Sequence, residues 1–235
     1  LVGAPDLDAA TTAQLQAYLS PDEQRSYAQL LREPKRTEFL LGRVLVRRIL
    51  GAILDIAPPD IRLIVMEGGK PALPPFGAYA VPPSFNLSHS NGYLLCGVTQ
   101  YGAIGIDVEW LGSYKEHIAR RFFHPDEQRW LQELEPSQRA GGFYHLWTVK
   151  EACIKALGAG LRFPLRKLCI TGAASGVSLG LCWQTLMIDP FVKAAVALHL
   201  PDVPSVPASG MLLHVDLVWL LADCQSGIGK ETEPS

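Results

Sequence analysis

Apolar and polar positions follow two rhythms along this chain, a helical one and an alternating one, and the changes of rhythm divide it into elements. Ser20-Pro21-Asp22-Glu23 sets a hydroxyl before a proline and a carboxylate three residues on, the pattern of a capped helix start. A second helix is predicted from Pro34 through the mixed apolar and basic run 43–50 to a stop at Gly51. The β-branched run 61–66 predicts a strand, 67–71 a turn, and the proline-rich stretch 71–83 irregular chain. Residues 85–88 and 93–99 read as strands joined at Asn91-Gly92, a dipeptide that accepts the positive φ angles of a tight hairpin. Another strand covers 105–110. Helical spacing returns at 115–123, a new helix start lies at His124-Pro125-Asp126-Glu127, and a longer helix covers 137–157 with Gly158 as its stop. Segments 167–171, 177–183, 191–200 and 212–220 read as strands, and the polar tail 226–235 is expected to be disordered.

Residues 43–54 align without gaps on residues 150–161. Arg43/Lys150 and Arg48/Lys155 coincide in charge, while Leu50/Leu157, Gly51/Gly158, Ala52/Ala159 and Leu54/Leu161 are identical. Each copy sits in a predicted helix with strands later in the same half. The expectation is an α+β protein of two related halves, an N-terminal lobe over 1–102 and a C-terminal lobe over 103–225, with a ligand cleft between them. Chance likeness between two amphipathic helices is the alternative.

Composition narrows the class of function. The 235 residues are 48% hydrophobic and 19% charged, an ordinary globular balance. A formal charge of -2 and a pI near 6.3 give no general pull toward nucleic acid or an anionic membrane. No apolar run is long enough to predict a membrane span, and residues 1–5 lack the basic and apolar regions of a signal peptide. Cys96, Cys153, Cys169, Cys182 and Cys224 are odd in number and form no C-x-x-C, which favours reduced thiols in a cytoplasmic protein. The histidines form no H-x-H or H-E-x-x-H, so zinc is not expected.

The candidate chemistry centres on Gly105-Ile106-Asp107-Val108-Glu109-Trp110. On a strand, Asp107 and Glu109 share a face while Ile106 and Val108 turn toward a core. Two adjacent carboxylates repel, and a divalent cation relieves them. A Mg²⁺ site completed by Glu151 is one reading; an edge strand with its polar face in water is the other. Glu151 and Lys155 share a helix face. Trp147, Ala152, Ile154 and Ala156 make that helix too apolar for a solvated surface, so its charges need partners. Ser88-His89-Ser90-Asn91-Gly92 offers hydroxyls, imidazole and loop amides suited to phosphate oxygens, and Lys70 sits on a loop stiffened by Pro71. Arg25, Arg36 and Arg43 are weaker anion-binding candidates. There is no P-loop and no dinucleotide fingerprint, and the set suits Mg²⁺-assisted chemistry on a phosphate or pyrophosphate.

Gly69-Lys70-Pro71, Phe85-Asn86-Leu87-Ser88-His89-Ser90, Gly105-Ile106-Asp107-Val108-Glu109 and Trp147-Thr148-Val149-Lys150-Glu151-Ala152-Cys153-Ile154-Lys155-Ala156-Leu157-Gly158 occur in the order and spacing of the 4′-phosphopantetheinyl transferases. The chain resembles the monomeric, two-lobed Sfp type over roughly residues 20–200. The resemblance implies two pseudo-twofold-related α+β lobes with coenzyme A in the cleft. It implies transfer of the phosphopantetheine arm of coenzyme A to a serine of an apo acyl or peptidyl carrier protein, with release of 3′,5′-ADP. It further implies that Asp107, Glu109 and Glu151 hold Mg²⁺ (or Mn²⁺) on the pyrophosphate and that Glu151, directly or through water, is the base. Lys155 would bind the pyrophosphate, and Lys70, Ser88 and His89 the phosphates of the 3′-phosphoadenosine part.

One departure is visible. Family members often carry lysines or arginines just after the Ser-Pro of the early helix, whereas here Asp22, Glu23, Gln24, Arg25 and Ser26 follow, leaving Arg25 with Arg36 or Arg43 as substitutes. The acidic carrier is expected to dock on Lys115, Arg120, Arg121, Phe122 and Phe123, with no nucleic-acid or membrane partner. A Mg²⁺-dependent phosphoesterase or nuclease is the competing enzyme class. It fits less well, because such sites place an E-x-K on a strand whereas Glu151 and Lys155 lie four apart on a helix. A nucleotide-binding module without catalysis is the non-enzymatic alternative, opposed by the presence of all three carboxylates.

Overall fold

The computed structural model describes residues 7–66, 69–77, 79–160, 163–170 and 172–200. The expected strand 212–220 and tail 226–235 therefore lie outside the described residues. Helix α1 (Ala9–Gln16) is capped by Asp8, and α2 (Pro21–Gln29) starts at the Ser20/Glu23 capping box with both reciprocal bonds made. Helix α3 (Glu33–Leu54) runs one turn past its expected stop at Gly51 and ends at Asp55 in the left-handed region. Gly51 is needed for space rather than termination, since a Cβ there would meet the Ile56 carbonyl oxygen at 2.6 Å.

Strands β1 (Ile64–Val65) and β2 (Pro71–Ala72) form a two-residue ladder, shorter than the predicted 61–66 strand. Pro71 has no N–H to lengthen the pairing. Strands β3 (Ser84–Ser90) and β4 (Tyr93–Thr99) form the expected hairpin, with Asn91 and Gly92 at φ 48° and 86°. Strand β5 (Ala103–Trp110) follows, then α4 (Glu116–Phe122), α5 (Pro125–Glu133) and α6 (Arg139–Leu157), which stops at a left-handed Gly158. The predicted strand 177–183 is instead a hairpin: β6 (Ser175–Ser178) turns at Leu179-Gly180, φ 54° and 73°, into β7 (Leu181–Asp189), and β8 (Val192–His199) follows. The last four strands make an antiparallel sheet in the order β5-β8-β7-β6.

Segment 167–171 is also no strand where described; Leu165–Lys167 is a 3₁₀ turn and residues 168–170 join no ladder. A buried ion pair takes its backbone groups instead. Lys150 on α6 donates to the carbonyls of Leu165 (2.9 Å) and Leu168, and Glu127 on α5 accepts the Ile170 N–H at 2.6 Å. Lys150 and Glu127 meet at 2.9 Å, and a paired, fully hydrogen-bonded charge is tolerable in an interior where a lone one is not.

The edge of β5 away from β8 runs beside β3 in the same direction without a backbone ladder. Its N–H groups go to alternate side chains of β3: Ile104 to Ser84 Oγ (3.3 Å), Ile106 to Asn86 Oδ1 (2.8 Å), Val108 to Ser88 Oγ (3.3 Å) and Trp110 to Ser90 Oγ (3.1 Å). Carbonyls on the same edge are met by lysines, Ile104 O by Lys70 Nζ and Ile106 O by Lys155 Nζ, each at 3.2 Å. On one face of β5, Ile104, Ile106 and Val108 pack with Leu95 of β4 and Val192, Ala194, Val196 and Leu198 of β8. The other face meets α6, and Gly105 is where they touch: a Cβ there would lie 1.9 Å from the Ala152 carbonyl oxygen and 2.4 Å from the Ala156 nitrogen. Among the described residues no helix is long and apolar enough to cross a membrane.

Gly105→Ala is expected to lower stability by about 3 kcal/mol, the upper part of the usual overpacking range, because the obstacle is helix backbone rather than a movable side chain. Urea unfolding measures it; a midpoint shift equivalent to less than about 0.5 kcal/mol, the size of a neutral surface change, would mean that β5 and α6 are not in this contact.

Candidate active site

Helix α6 crosses β5 so that residues 147, 151 and 155, one turn apart, look at residues 107 and 109. Residues Leu87, Ser88 and His89 of β3 close the third side. Leu87, Ser88, His89, Asp107, Val108, Glu109, Trp147, Glu151 and Lys155 line an open cavity of about 320 Å³. Six candidates named from the sequence thus share one wall: Asp107, Glu109, Glu151, Lys155, Ser88 and His89.

Asp107 is 4% exposed and its two oxygens have different surroundings. Oδ1 accepts from Lys155 Nζ at 2.6 Å and from the Ser88 hydroxyl at 3.0 Å. Oδ2 is buried without a hydrogen-bond partner. Burial raises the Asp107 carboxyl above its ordinary range, with Lys155 and Ser88 opposing that rise. Glu109 is raised by burial and then by the Asp107 charge, and it accepts a hydrogen bond from the Trp147 side chain. Glu151 is pushed up to about 7, by burial first and then by Asp107. Three carboxylates compete for one poorly solvated space, where Lys155 is the lysine among the lining residues and Lys115 also acts on Glu109.

This donor set suits a divalent cation. The ligands are hard oxygens, their charges are mutually destabilising, and one buried oxygen lacks any partner. Their oxygens do not form a closed cage, however. Among the described residues the group whose ligand atoms all lie within 4.8 Å is His124, Asp126 and Cys169, where His124 is occupied in capping α5. Mutual repulsion and the contact of Lys155 with Asp107 both oppose a tighter acidic set.

Lys70 does not line the cavity. Its ammonium spans the seam, donating to Ile104 O and Lys155 O at 3.2 Å each, and burial followed by the Lys155 charge lowers its pKa. His89 sits at the rim, paired with Glu38 of α3 at 3.2 Å. Arg25 is exposed beside Asp22, and Arg36 lies 3.0 Å from Glu33 and over the Tyr27 ring. Arg43 pairs with Glu23 at 3.3 Å, where Glu23 also holds the buried Arg47 at 2.6 Å. None of the three arginines lines the cavity. On the expected docking face, Arg120 pairs with Glu116 at 2.7 Å, and Phe123 is fully buried in the core and cannot belong to a rim.

Sequence reasoning missed several participants. Trp147 reads as a core residue but donates to Glu109. Asn86, Ser84 and Ser90 were visible as polar residues at alternate strand positions, a period-two signal whose partner strand was not. Glu38, Glu127 and Arg47 gave no signal, since their roles depend on contacts distant in sequence.

Residues 103–188 match the family described as the 4′-phosphopantetheinyl transferase superfamily. The chain is 32% identical over 197 residues to 4′-phosphopantetheinyl transferase Sfp of Bacillus subtilis, covering 80% of this chain and 85% of that one. It is 31% identical over 189 residues to 4′-phosphopantetheinyl transferase gsp of Aneurinibacillus migulanus, covering 80% and 73%. It is 38% identical over 149 residues to 4′-phosphopantetheinyl transferase HetI of a Nostoc species, covering 63% and 62%.

The raised Glu151 pKa carries a consequence for stability. From the ordinary 4.5 up to about 7, the folded protein keeps a proton on Glu151 that the unfolded chain has lost. This contribution is therefore present at low pH and is lost as pH rises through that window. Glu151→Gln removes it, so the variant should melt progressively higher relative to its parent between about pH 4.5 and about pH 8. Thermal unfolding across that range checks this, and a pH-independent difference would place Glu151 outside the crowded cluster.

Proposed function

The chain belongs to the 4′-phosphopantetheinyl transferase family, and from that premise we propose how its cavity moves phosphopantetheine from coenzyme A to a serine of an apo carrier protein. The observation that carries the reading is the convergence of Asp107, Glu109, Glu151 and Lys155 on one cavity, with Asp107 Oδ2 unpartnered inside it.

In this reading Asp107, Glu109 and Glu151 hold Mg²⁺ on the coenzyme A pyrophosphate. The ion supplies charge neutralisation for the pyrophosphate and for the leaving 3′,5′-ADP oxygen. Lys155, on the same wall, offsets more of that charge. Glu151, directly or across one water, takes the proton of the carrier serine, whose hydroxyl is a weak nucleophile until a base is in reach. The serine oxygen then attacks the phosphorus to which the phosphopantetheine is attached, and the bond to the bridging pyrophosphate oxygen breaks. Trp147 lines the cavity and hydrogen-bonds to Glu109. His89, backed by Glu38, faces the rim and meets an anionic substituent of the nucleotide.

The two-lobe organisation, 1–102 and 103–225, belongs to the same proposal. It is supported by the sequence likeness of residues 43–54 and 150–161 and by a cavity bounded by β3 on one side and by β5 and α6 on the other. A cytoplasmic location accords with the free thiols at Cys96, Cys153, Cys169 and Cys182, and a monomer belongs to the same proposal.

Incubation with coenzyme A, Mg²⁺ and a competent apo carrier should add one phosphopantetheine to the carrier, read by mass spectrometry; an unmodified carrier would sink the proposal. Glu151→Gln should slow transfer by about 10²-fold or more while coenzyme A still binds, and activity near that of the parent would mean that the base lies elsewhere. Asp107→Ala should move the midpoint of the Mg²⁺ titration upward as well as reduce the rate. An unmoved midpoint would remove Asp107 from the ion's ligands.

A further inference from the structure

We infer that His124, Asp126 and Cys169 form a Zn²⁺ site, distinct from the acidic cavity and built of nitrogen, oxygen and sulfur ligands. The fold brings them together from the start of α5 and from the segment after the 3₁₀ turn. Their ligand atoms all lie within 4.8 Å of one another.

The imidazole and the carboxylate already stand as ligands would. His124 Nδ1 accepts the Asp126 N–H at 3.2 Å, and a ring nitrogen that accepts carries no proton. Asp126 Oδ2 nevertheless stands 3.4 Å from that same atom. Two acceptors thus face each other, a contact that a cation relieves. Asp126 Oδ1 is held by Arg129, which turns Oδ2 toward the ring. Zinc bonds of about 2.0–2.1 Å at tetrahedral angles place nitrogen and oxygen about 3.4 Å apart, the separation present here. Ligation at Nδ1 takes one cap bond from α5, and the helix start keeps the other, from the His124 N–H to Glu127 at 2.7 Å.

The thiol is presented by the buried ion pair of α5 and α6. Lys150 holds the Leu168 carbonyl and Glu127 the Ile170 N–H, so the backbone is pinned on both sides of Cys169. Leu168 and Ile170 are buried in the core, whereas Cys169 between them is half-buried. Outer support of this kind keeps a metal ligand in place. With sulfur about 2.3 Å from zinc, neighbouring ligands lie about 3.6 Å from it, so the thiol has roughly 1.2 Å at most to travel.

Mixed nitrogen, oxygen and sulfur ligands select zinc over magnesium, which takes oxygen alone. Ligation releases the thiol proton to water. The fourth position belongs to solvent, because the His124 and Asp126 side chains are 32% and 55% exposed.

Co²⁺ is the probe, added to the reduced protein with Mg²⁺ in excess, and a thiolate-to-cobalt charge-transfer band is the readout. Co²⁺ held only by oxygen, as in the acidic cavity, gives no such band. The parent should show a band that saturates and that Zn²⁺ removes by displacing Co²⁺. Cys169→Ala should lose it. His124→Asn, which keeps a side chain able to cap α5, and Asp126→Asn should each weaken Co²⁺ binding by at least about tenfold. Asp126 is exposed, so its exchange probes the site without touching the core. A parent without the band would overturn the inference. So would a band that survives Cys169→Ala, which places the reacting thiol elsewhere. A band unmoved by both His124→Asn and Asp126→Asn would leave a lone cysteine in place of a site and overturn it as well.

Discussion

The structure depends on how the open edge of β5 is satisfied. A strand edge buried against other chain must find partners for each N–H and carbonyl, and here the neighbouring strand supplies side chains rather than backbone. Ser84, Asn86, Ser88 and Ser90 take the four amides, while Lys70 and Lys155 take two carbonyls. A backbone ladder would bring the strands to the usual separation of about 4.8 Å, whereas a side-chain spacer holds them further apart. The same spacing lets β3 and β5 face a common cavity while Ile104, Ile106 and Val108 still pack behind it.

Electrostatics in that cavity are organised by scarcity of positive charge. Asp107, Glu109 and Glu151 are each partly or wholly removed from water, and Lys155 is fully engaged within the protein. Elsewhere the chain matches its buried charges closely: Glu127 with Lys150, and Glu23 with Arg43 and Arg47. Unequal charge held by packing is what a site for a polyanionic substrate and its counter-ion requires, because the missing charge arrives with the ligand. The Glu23 pairs also account for one of the two acidic residues after Ser20-Pro21, which holds α2 to α3.

Much of this was legible in the sequence where chemistry and period coincide. Asp107 and Glu109 share a face because strands repeat every two residues, and Glu151 and Lys155 share one because helices repeat every 3.6. The Asn91-Gly92 turn, the Ser20 cap and the Gly158 stop are local events set by adjacent residues, and they occur where predicted. Errors fall where a distant partner decides. Residues 168–170 are as apolar as a strand, but Glu127 and Lys150 occupy their hydrogen-bonding groups. Gly51 resembles Gly158 in its sequence neighbourhood, yet the approach of Ile56 keeps it helical. Lys70 carries the charge expected of an anion ligand and spends it on two carbonyls. A one-dimensional pattern holds the inventory of groups but not their assignments.

The ladder has a kinetic side. Each of its rungs joins residues twenty apart, as Ser84 to Ile104 or Ser90 to Trp110, whereas the β5–β8 pairing joins Ala103 to His199 and Trp110 to Val192. Closing the shorter loop costs roughly 1.3 kcal/mol less in chain entropy, by the logarithmic scaling of loop closure. Ser88 and Asp107 are therefore joined by one of the shorter loops in the fold. The site is built from both kinds of contact, because Lys155 reaches the same carboxylate from 48 residues away.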